Sequence, residues 1–303
     1  MNAPAASIVI PTCQRPAELA RCLASLSAQV PVGGPVEILV CDDSAEDCTK
    51  RLIAADFPGV TWQAGPRRGP AANRNSGARA GRGEWLIFVD DDCEPRAGFL
   101  QAYMEAIRGL GSRRRVAIEG ATFRDWGNRS LLFEAPHNTN GGTLISCNFA
   151  MPRALFLEFG GFDERFPTAA FEDTEFAARL QLEGVGMIFV REAAVDHPLR
   201  PLPSPSKLAG RWESRVISTY DFGASTPQLL WHLPRHVTAV ILSRFRGRNW
   251  DSDTLKAAGI FLCEYLWFLW GLPGWISRYR RAPRSAFWAA QIRLGKTPRR
   301  FGL

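Results

Sequence analysis

The chain of 303 residues is 46% hydrophobic and 22% charged, with a formal net charge of +7. Such a balance belongs to a folded globular protein and excludes overall disorder, and the length allows one large domain or an ordinary domain with a substantial extension. The positive charge suits nucleic acid, an anionic membrane surface or anionic substrates, and its position along the chain decides among them.

Seven cysteines (Cys13, Cys22, Cys41, Cys48, Cys93, Cys147, Cys263) are scattered without a Cys-x-x-Cys pair. An odd, dispersed set points to free thiols in a reducing compartment. Met1 to Ala6 hold no basic region followed by an apolar core, so no secretory leader is expected.

Ser7-Ile8-Val9-Ile10 is a β-branched run closed by Pro11, and from Glu18 onward Leu19, Cys22, Leu23 and Leu26 share one helical face. Val36 to Cys41 reads as a second strand ending in Asp42-Asp43-Ser44, followed by a helix through Leu52 and Ile53. Val60 to Gln63 is a third strand; the loop Gly65-Pro66-Arg67-Arg68-Gly69-Pro70 then leads into a helix from Ala71 to Ala80. Trp85-Leu86-Ile87-Phe88-Val89 runs straight into Asp90-Asp91-Asp92. Strands separated by helix-length segments imply an α/β fold with a mostly parallel sheet flanked by helices, and right-handed crossovers put the strand C-termini on one edge. Pro11 to Arg15, Asp42-Asp43 and Asp90 to Asp92 should therefore converge where open α/β sheets bind ligands. Three adjacent carboxylates repel one another, and hard oxygen ligands at a strand end suit Mg²⁺ or Mn²⁺. Taken alone, the triplet reads equally well as a solvated acidic turn.

Val116 to Glu119 is a further strand, and Thr122 to Asn140 is polar and irregular enough for an acceptor-side loop. Gly141 to Pro152 reads as a strand with a flexible entry, Arg153 to Phe159 as a helix, and Gly160-Gly161-Phe162-Asp163-Glu164 as a turn. A helix opens at Phe171-Glu172-Asp173-Thr174-Glu175-Phe176 and runs to Glu183, although acids in a first turn also answer to the helix dipole alone. After Gly184, a strand from Val185 to Val190 leads to Val195-Asp196-His197-Pro198. Pro198, Pro201, Pro203 and Pro205 favour extended backbone and mark a boundary, giving a domain over residues 1–200 and a helical, aromatic and basic extension over 201–303.

In the extension Lys207 to Tyr220 is helical by pattern, and Trp231 to Phe245 interleaves apolar residues with Arg235, His236 and Arg244. Ala257 to Leu272 is the densest apolar run, marginal in length for a bilayer, with Glu264 near its centre and Pro273-Gly274 just after it. Arg278, Arg280, Arg281, Arg284, Arg293, Lys296, Arg299 and Arg300 follow, with no acidic residue from Gly271 onward. Tryptophan-rich aromatics beside such a stretch suit the headgroup region of an anionic leaflet, so peripheral attachment to the cytoplasmic face of a membrane is expected. A buried helical domain or oligomer contact and a true span are the alternatives.

Together these residues resemble a family 2 glycosyltransferase with the GT-A, nucleotide-diphospho-sugar transferase-like fold. The likeness runs from Ser7 to about His197, and its parts come in order: Ser7 through Pro16, Asp42-Asp43-Ser44, Ala72-Asn73-Arg74-Asn75-Ser76-Gly77, Asp90-Asp91-Asp92, Gly160 to Glu164, Glu172-Asp173 and Asp196-His197. The resemblance implies an inverting, metal-dependent enzyme that moves a sugar from a nucleotide-diphosphate donor, UDP first, to a hydroxyl of a lipid-linked or polysaccharide acceptor. It implies that Pro11, Cys13, Arg15, Asp43, Arg74, Asp90 and Asp91 hold the donor and that Asp92 and His197 hold Mn²⁺ or Mg²⁺. By the same likeness Asp173 is the base and Glu172 contacts the acceptor. The chain departs from the family's usual pattern at Cys13-Gln14, where an aromatic residue and Asn are common, and at Glu175, where Asp is common.

Rival readings explain less. A polyanion- or nucleic-acid-binding module would use the basic C-terminus but would not require carboxylates at three strand ends, so no nucleic acid partner is expected. A sugar nucleotidyltransferase shares the sheet type, yet resembles a glycine-rich loop with Arg after the first strand, and Pro11-Thr12-Cys13-Gln14-Arg15 has no glycine. The presence of every expected carboxylate argues against a catalytically dead scaffold.

Overall fold

A computed structural model describes residues 4–29, 35–124, 127 and 130–295. Its elements begin β1 (Ala6–Thr12), α1 (Pro16–Ser27), β2 (Val36–Asp42), α2 (Cys48–Asp56), β3 (Val60–Ala64), α3 (Pro70–Ala80) and β4 (Trp85–Val89). Next come β5 (Glu94–Pro95), α4 (Phe99–Gly109), β6 (Val116–Phe123), β7 (Phe133–Glu134), β8 (Asn148–Pro152), α5 (Arg153–Glu158), α6 (Glu172–Leu182) and β9 (Gly186–Asp196). The chain continues through β10 (Arg200–Pro201), α7 (Pro205–Asp221), α8 (Thr226–Ser243), α9 (Ser252–Tyr279) and α10 (Ala286–Arg293). Two compact units result: Met1–Asp125, Ala135–Glu164 and Glu172–Pro198 form the first, and Trp126–Glu134, Arg165–Phe171 and Leu199–Leu303 the second.

The first unit is built on an eight-stranded sheet in the order β3-β2-β1-β4-β8-β6-β9-β5. Strands β3, β2, β1 and β4 are parallel, β8 is inserted antiparallel between β4 and β6, and β9 runs parallel to β6. Alternate side chains of each strand feed opposite layers. Ile8, Ile10, Ile87 and Val89 pack with Leu19, Leu23, Phe99 and Tyr103 on one face. Val9, Leu86 and Phe88 pack with Ala78, Phe149, Phe156 and Phe176 on the other. Burial on both faces explains why these strands are continuously apolar.

Several elements differ from the sequence expectation for identifiable reasons. Strand β1 continues through Pro11, which pairs with Cys41. The Thr12 carbonyl accepts from Asp43 N, so Thr12 faces β2 and Pro11 faces the β4 side, where the ladder has already ended at Val9. No ladder donor is lost there. Helix α4 has no counterpart among the expected elements, although Phe99, Ala102 and Tyr103 lie at helical spacing and are buried. Strand β8 is restricted to Asn148–Pro152, and β9 extends well past Val190. Phe171 has φ 69, a left-handed conformation that delays the start of α6 to Glu172.

Register brings the strand ends to one edge. Thr12 is level with Asp42, Val89 with Asn148, and Phe123 with Asp196. The C-termini of β1, β2, β4, β6 and β9 and the entry to β8 thus share the rim at which the sequence places its acids.

In the second unit β7 and β10 form a short antiparallel pair beside helices α7 to α10. Trp212, Val216, Leu229, Leu233, Phe268 and Leu272 are central to its core. Helix α9 runs on through Pro273 to Tyr279. Among the described residues it is the one helix long and apolar enough, by length and composition, to cross a membrane. Asp125, Trp126, Asn128 and Arg129 of the expected acceptor-side loop, and Lys296, Arg299 and Arg300 of the basic tail, lie outside the described residues.

Candidate active site

Three neighbouring aspartates at the end of β4 separate onto three different partners. Asp90 Oδ1 accepts from Arg74 at 2.6 Å. Asp91 accepts from the Thr12 hydroxyl at 2.7 Å and from Arg15 at 3.2 Å. Asp92 Oδ2 faces His197 Nε2 at 3.5 Å. The charges of Asp90 and of the buried Asp91 are therefore offset by guanidinium groups, while the buried Asp92 faces a histidine.

The β1 and β2 ends meet beside it. Asp42 is held by the Ser44 backbone N–H and the Trp62 indole, so its role is to shape the strand end. Asp43 is half-buried, and its Oδ1 accepts from Arg67 N at 2.9 Å. Burial outweighs that bond and leaves its carboxyl above the ordinary value. Asn73 clamps the two strand ends by donating to the Thr12 and Cys41 carbonyls at 3.3 and 2.9 Å. Cys13 is exposed, while Pro11 is buried and supports the loop from below.

Helix α6 brings the remaining acids to the same rim. Its bearing is fixed by a buried fork from Arg179 to both oxygens of Glu175 and by Arg179 bonds to the Phe159 and Gly161 carbonyls. The Asn75 side chain meanwhile pairs with both backbone groups of Phe162. Glu172, the first residue of α6, is 2% exposed and bonds to Arg74 at 3.3 Å. Burial, reinforced by Asp173, pushes its carboxyl up to about 8. Asp173 is half-buried, with Oδ1 accepting from Thr174 N at 2.7 Å and Oδ2 from Ser146 N at 3.4 Å. Burial raises its carboxyl too, the backbone donors notwithstanding.

Asp92, Cys93 and His197 place an oxygen, a sulfur and a ring nitrogen within 4.8 Å of one another. His197 Nδ1 lies 3.0 Å from the Pro198 carbonyl, which can only accept, so the ring proton sits on Nδ1. Burial holds the imidazole below its ordinary pKa and neutral, so the Nε2 lone pair faces the Asp92 carboxylate. Two acceptors so close in a buried site fit a divalent cation. Cys93 Sγ also lies 3.9 Å from the Cys147 carbonyl, and its contact with Cys147, then burial, raise the thiol well above its ordinary value.

The structure thus brings Arg15, Asp43, Arg74, Asp90, Asp91, Asp92, Asp173 and His197 to one edge of one sheet. Two of the expected site residues are engaged differently from the expectation. The Arg74 guanidinium is buried between Asp90 and Glu172, and Glu172 turns inward to Arg74. Sequence reasoning missed Thr12, Asn73 and Ser146, whose roles depend on residues 27 to 79 positions away. Asn73 lies inside the quoted stretch Ala72 to Gly77, and a polar residue on the packed side of α3 was the available signal.

A mostly parallel sheet carrying its acids on the strand C-terminal rim, with an acidic helix start closing it, defines the GT-A class. The fold agrees with that of S. aureus TarS 1–349 in complex with UDP, at a TM-score of 0.56 and 16% identity over 96% of this chain and 92% of that one. Residues 7–158 match the family model described as Glycosyl transferase family 2, and the chain belongs to that family. It is 34% identical over 90 residues to an uncharacterized glycosyltransferase of Haemophilus influenzae, covering 28% of this chain and 29% of that protein. It is also 30% identical over 107 residues to GalNAc(5)-diNAcBac-PP-undecaprenol beta-1,3-glucosyltransferase of Campylobacter jejuni, covering 34% of each. The chain therefore matches about a third of the length of these two curated relatives.

Proposed function

We propose that the first unit is an inverting, metal-dependent glycosyltransferase that moves a sugar from a nucleotide-diphosphate donor, a UDP-sugar first, to a hydroxyl of a lipid-linked or polysaccharide acceptor. The observation that carries the reading is the separation of Asp90, Asp91 and Asp92 onto distinct partners beside a half-buried Asp173 at one rim. The UDP in the TarS complex and the undecaprenol-linked substrate in the name of the Campylobacter relative support the donor and acceptor classes.

In this reading Asp43 accepts a hydrogen bond from a base N–H or ribose hydroxyl, and Pro11, Cys13 and Arg15 form the wall of the nucleotide site. Arg15 also fixes Asp91. Asp92 and His197 would hold Mn²⁺ or Mg²⁺, which supplies positive charge beside the leaving diphosphate. Asp173 takes the proton of the acceptor hydroxyl as that oxygen attacks the anomeric carbon. The bond to the diphosphate breaks on the opposite face, its electron pair leaves with the phosphate oxygen, and configuration inverts. A carboxyl raised by burial suits this task. Glu172 serves the acceptor side indirectly, by setting Arg74 and Asp173. The region 201–303 attaches the enzyme peripherally to the cytoplasmic face of a membrane.

Incubating the purified protein with Mn²⁺, sugar acceptors and a panel of nucleotide sugars, with free nucleotide as the readout, tests the reading. Release from one donor that stops on chelation is expected. Failure to release nucleotide from any donor by a folded protein would overturn it.

A further inference from the structure

Helix α9 carries two unlike faces. Ala257, Phe261, Glu264, Phe268, Leu272 and Ile276 recur at helical spacing and are buried. Glu264 Oε1 accepts from the Trp212 indole of α7 at 2.8 Å, so the one acid in the apolar run belongs to the packed face. The opposite face presents Leu255, Leu262, Leu266, Trp267, Leu269 and Trp270, each between 41% and 76% exposed. Every exposed position from 257 to 274 is uncharged. Leu230, Trp231 and Leu242 of α8 are likewise 50%, 60% and 64% exposed. A groove of about 450 Å³ on α8 and α9 is lined by Ala239, Leu242 and Tyr265, with Arg235 on its wall. Side chains this large and apolar, gathered rather than scattered, mark an interaction surface.

The charge around this surface selects the partner. From Thr226 to Gly295 the sequence has ten Lys and Arg residues against three acids, Asp251, Asp253 and Glu264. Glu264 is buried and Asp251 is spent capping α9 through Thr254 N at 2.8 Å. Arg246, Arg248 and Lys256 are exposed near one end of the apolar face, and Arg280 and Arg281 near the other, where Arg278 is paired with Glu213 at 2.6 Å. Arg235 lies flat over the Trp231 ring at 3.4 Å, a pairing of cation and amphipathic ring suited to a headgroup layer.

We propose that the exposed face of α8 and α9 is the docking surface for an anionic lipid bilayer, with α9 lying in the interface plane instead of crossing it. The inference rests on the membrane attachment in the functional reading and specifies how it is made. A crossing would expose Phe261, Glu264, Phe268 and Leu272 to lipid and strip Glu264 of its indole partner in hydrocarbon. In-plane binding keeps that core and buries only the apolar face, with the flanking cations at the phosphates. A second copy of the chain would bring like charges together at both ends of the face.

The test uses the full chain with sedimented vesicles of phosphatidylcholine alone and of equimolar phosphatidylcholine and phosphatidylglycerol. Strong binding to the mixed vesicles is expected, with tryptophan fluorescence quenched more by lipids brominated near the headgroup than at the chain end. Leu266→Glu with Trp270→Glu should weaken partition by at least about tenfold while leaving the melting temperature and nucleotide release unchanged. Arg246→Glu with Arg248→Glu, at two exposed positions, should weaken binding to the mixed vesicles selectively. Absence of binding, binding unaffected by either pair, deeper quenching at the chain ends, or a dimer that the Leu266 and Trp270 changes dissolve would each overturn the proposal. Nucleotide release on the same preparations reports the transferase chemistry separately.

Discussion

Arg74 and Asp90 are joined by a 2.6 Å ion pair at the foot of the aspartate triplet, and the same guanidinium reaches Glu172 at 3.3 Å. One buried side chain of α3 therefore ties the end of β4 to the start of α6. Burial alone would push the guanidinium down, but Asp90 and then Glu172 hold it above its ordinary value. Arg74→Ala should cost about 1–3 kcal/mol of stability by leaving Asp90 and the buried Glu172 without their shared donor. Arg74→Lys keeps the charge but loses the fork, and turnover should fall about tenfold or more with a smaller loss of stability. Urea unfolding and nucleotide release, measured on both variants, check this.

Asp173→Asn removes the proton acceptor while keeping size and one of the two backbone bonds from Thr174 and Ser146, since the amide offers a single accepting oxygen. Transfer should fall by at least about a hundredfold with donor affinity largely intact by calorimetry. A loss of donor binding equal to the loss of turnover would reject Asp173 as the base.

Glu172 sets a stability slope whose sign follows from its raised value. Its carboxyl moves from 4.5 to about 8 in the fold, so between those values the folded chain holds a proton that the unfolded chain has released. This stabilising contribution is full below the lower value and is lost as pH rises through the window. Glu172→Gln should flatten that part of the profile, gaining on the parent protein by at most about 1.4 kcal/mol per pH unit. Thermal and urea unfolding across the window checks this, and parallel profiles would contradict it.

Gly65 lies against Asp43 and Asn73 at the rim. A Cβ there would sit 2.1 Å from Asp43 Oδ1 and 2.4 Å from Asn73 Oδ1. Gly65→Ala should displace Asp43 and weaken nucleotide affinity about tenfold, or roughly 1.4 kcal/mol, with smaller effect on turnover at saturation. Calorimetric titration with UDP provides the comparison.

What could be read from the chain alone follows from local physics. Strands buried on both faces announce themselves as apolar runs, and acids just past them sit where a parallel sheet gathers its ends. The order of Asp43, Asp90 to Asp92, Asp173 and His197 therefore carried the rim. Strand β9 outruns its apolar pattern because Arg191 and Glu192 interrupt that run beside the register shift at Gly120/Ala121. The partners of Asp90 and Asp91 were not legible, since Thr12, Arg15 and Arg74 reach them only through the fold. Arg74 in particular reads as a phosphate ligand until its burial is seen, because sequence reports a side chain's charge and not which neighbour takes it.

If this rim grips a metal and a sugar diphosphate together, Asp92 is the residue whose loss shows it most directly. UDP should be titrated calorimetrically into the parent protein and Asp92→Asn, each with Mn²⁺ and with chelator. Tight binding is expected only in the parent with Mn²⁺, weakened about 10- to 100-fold in Asp92→Asn at an unchanged melting temperature. Equal UDP affinity with and without Mn²⁺, or in both proteins, would contradict it.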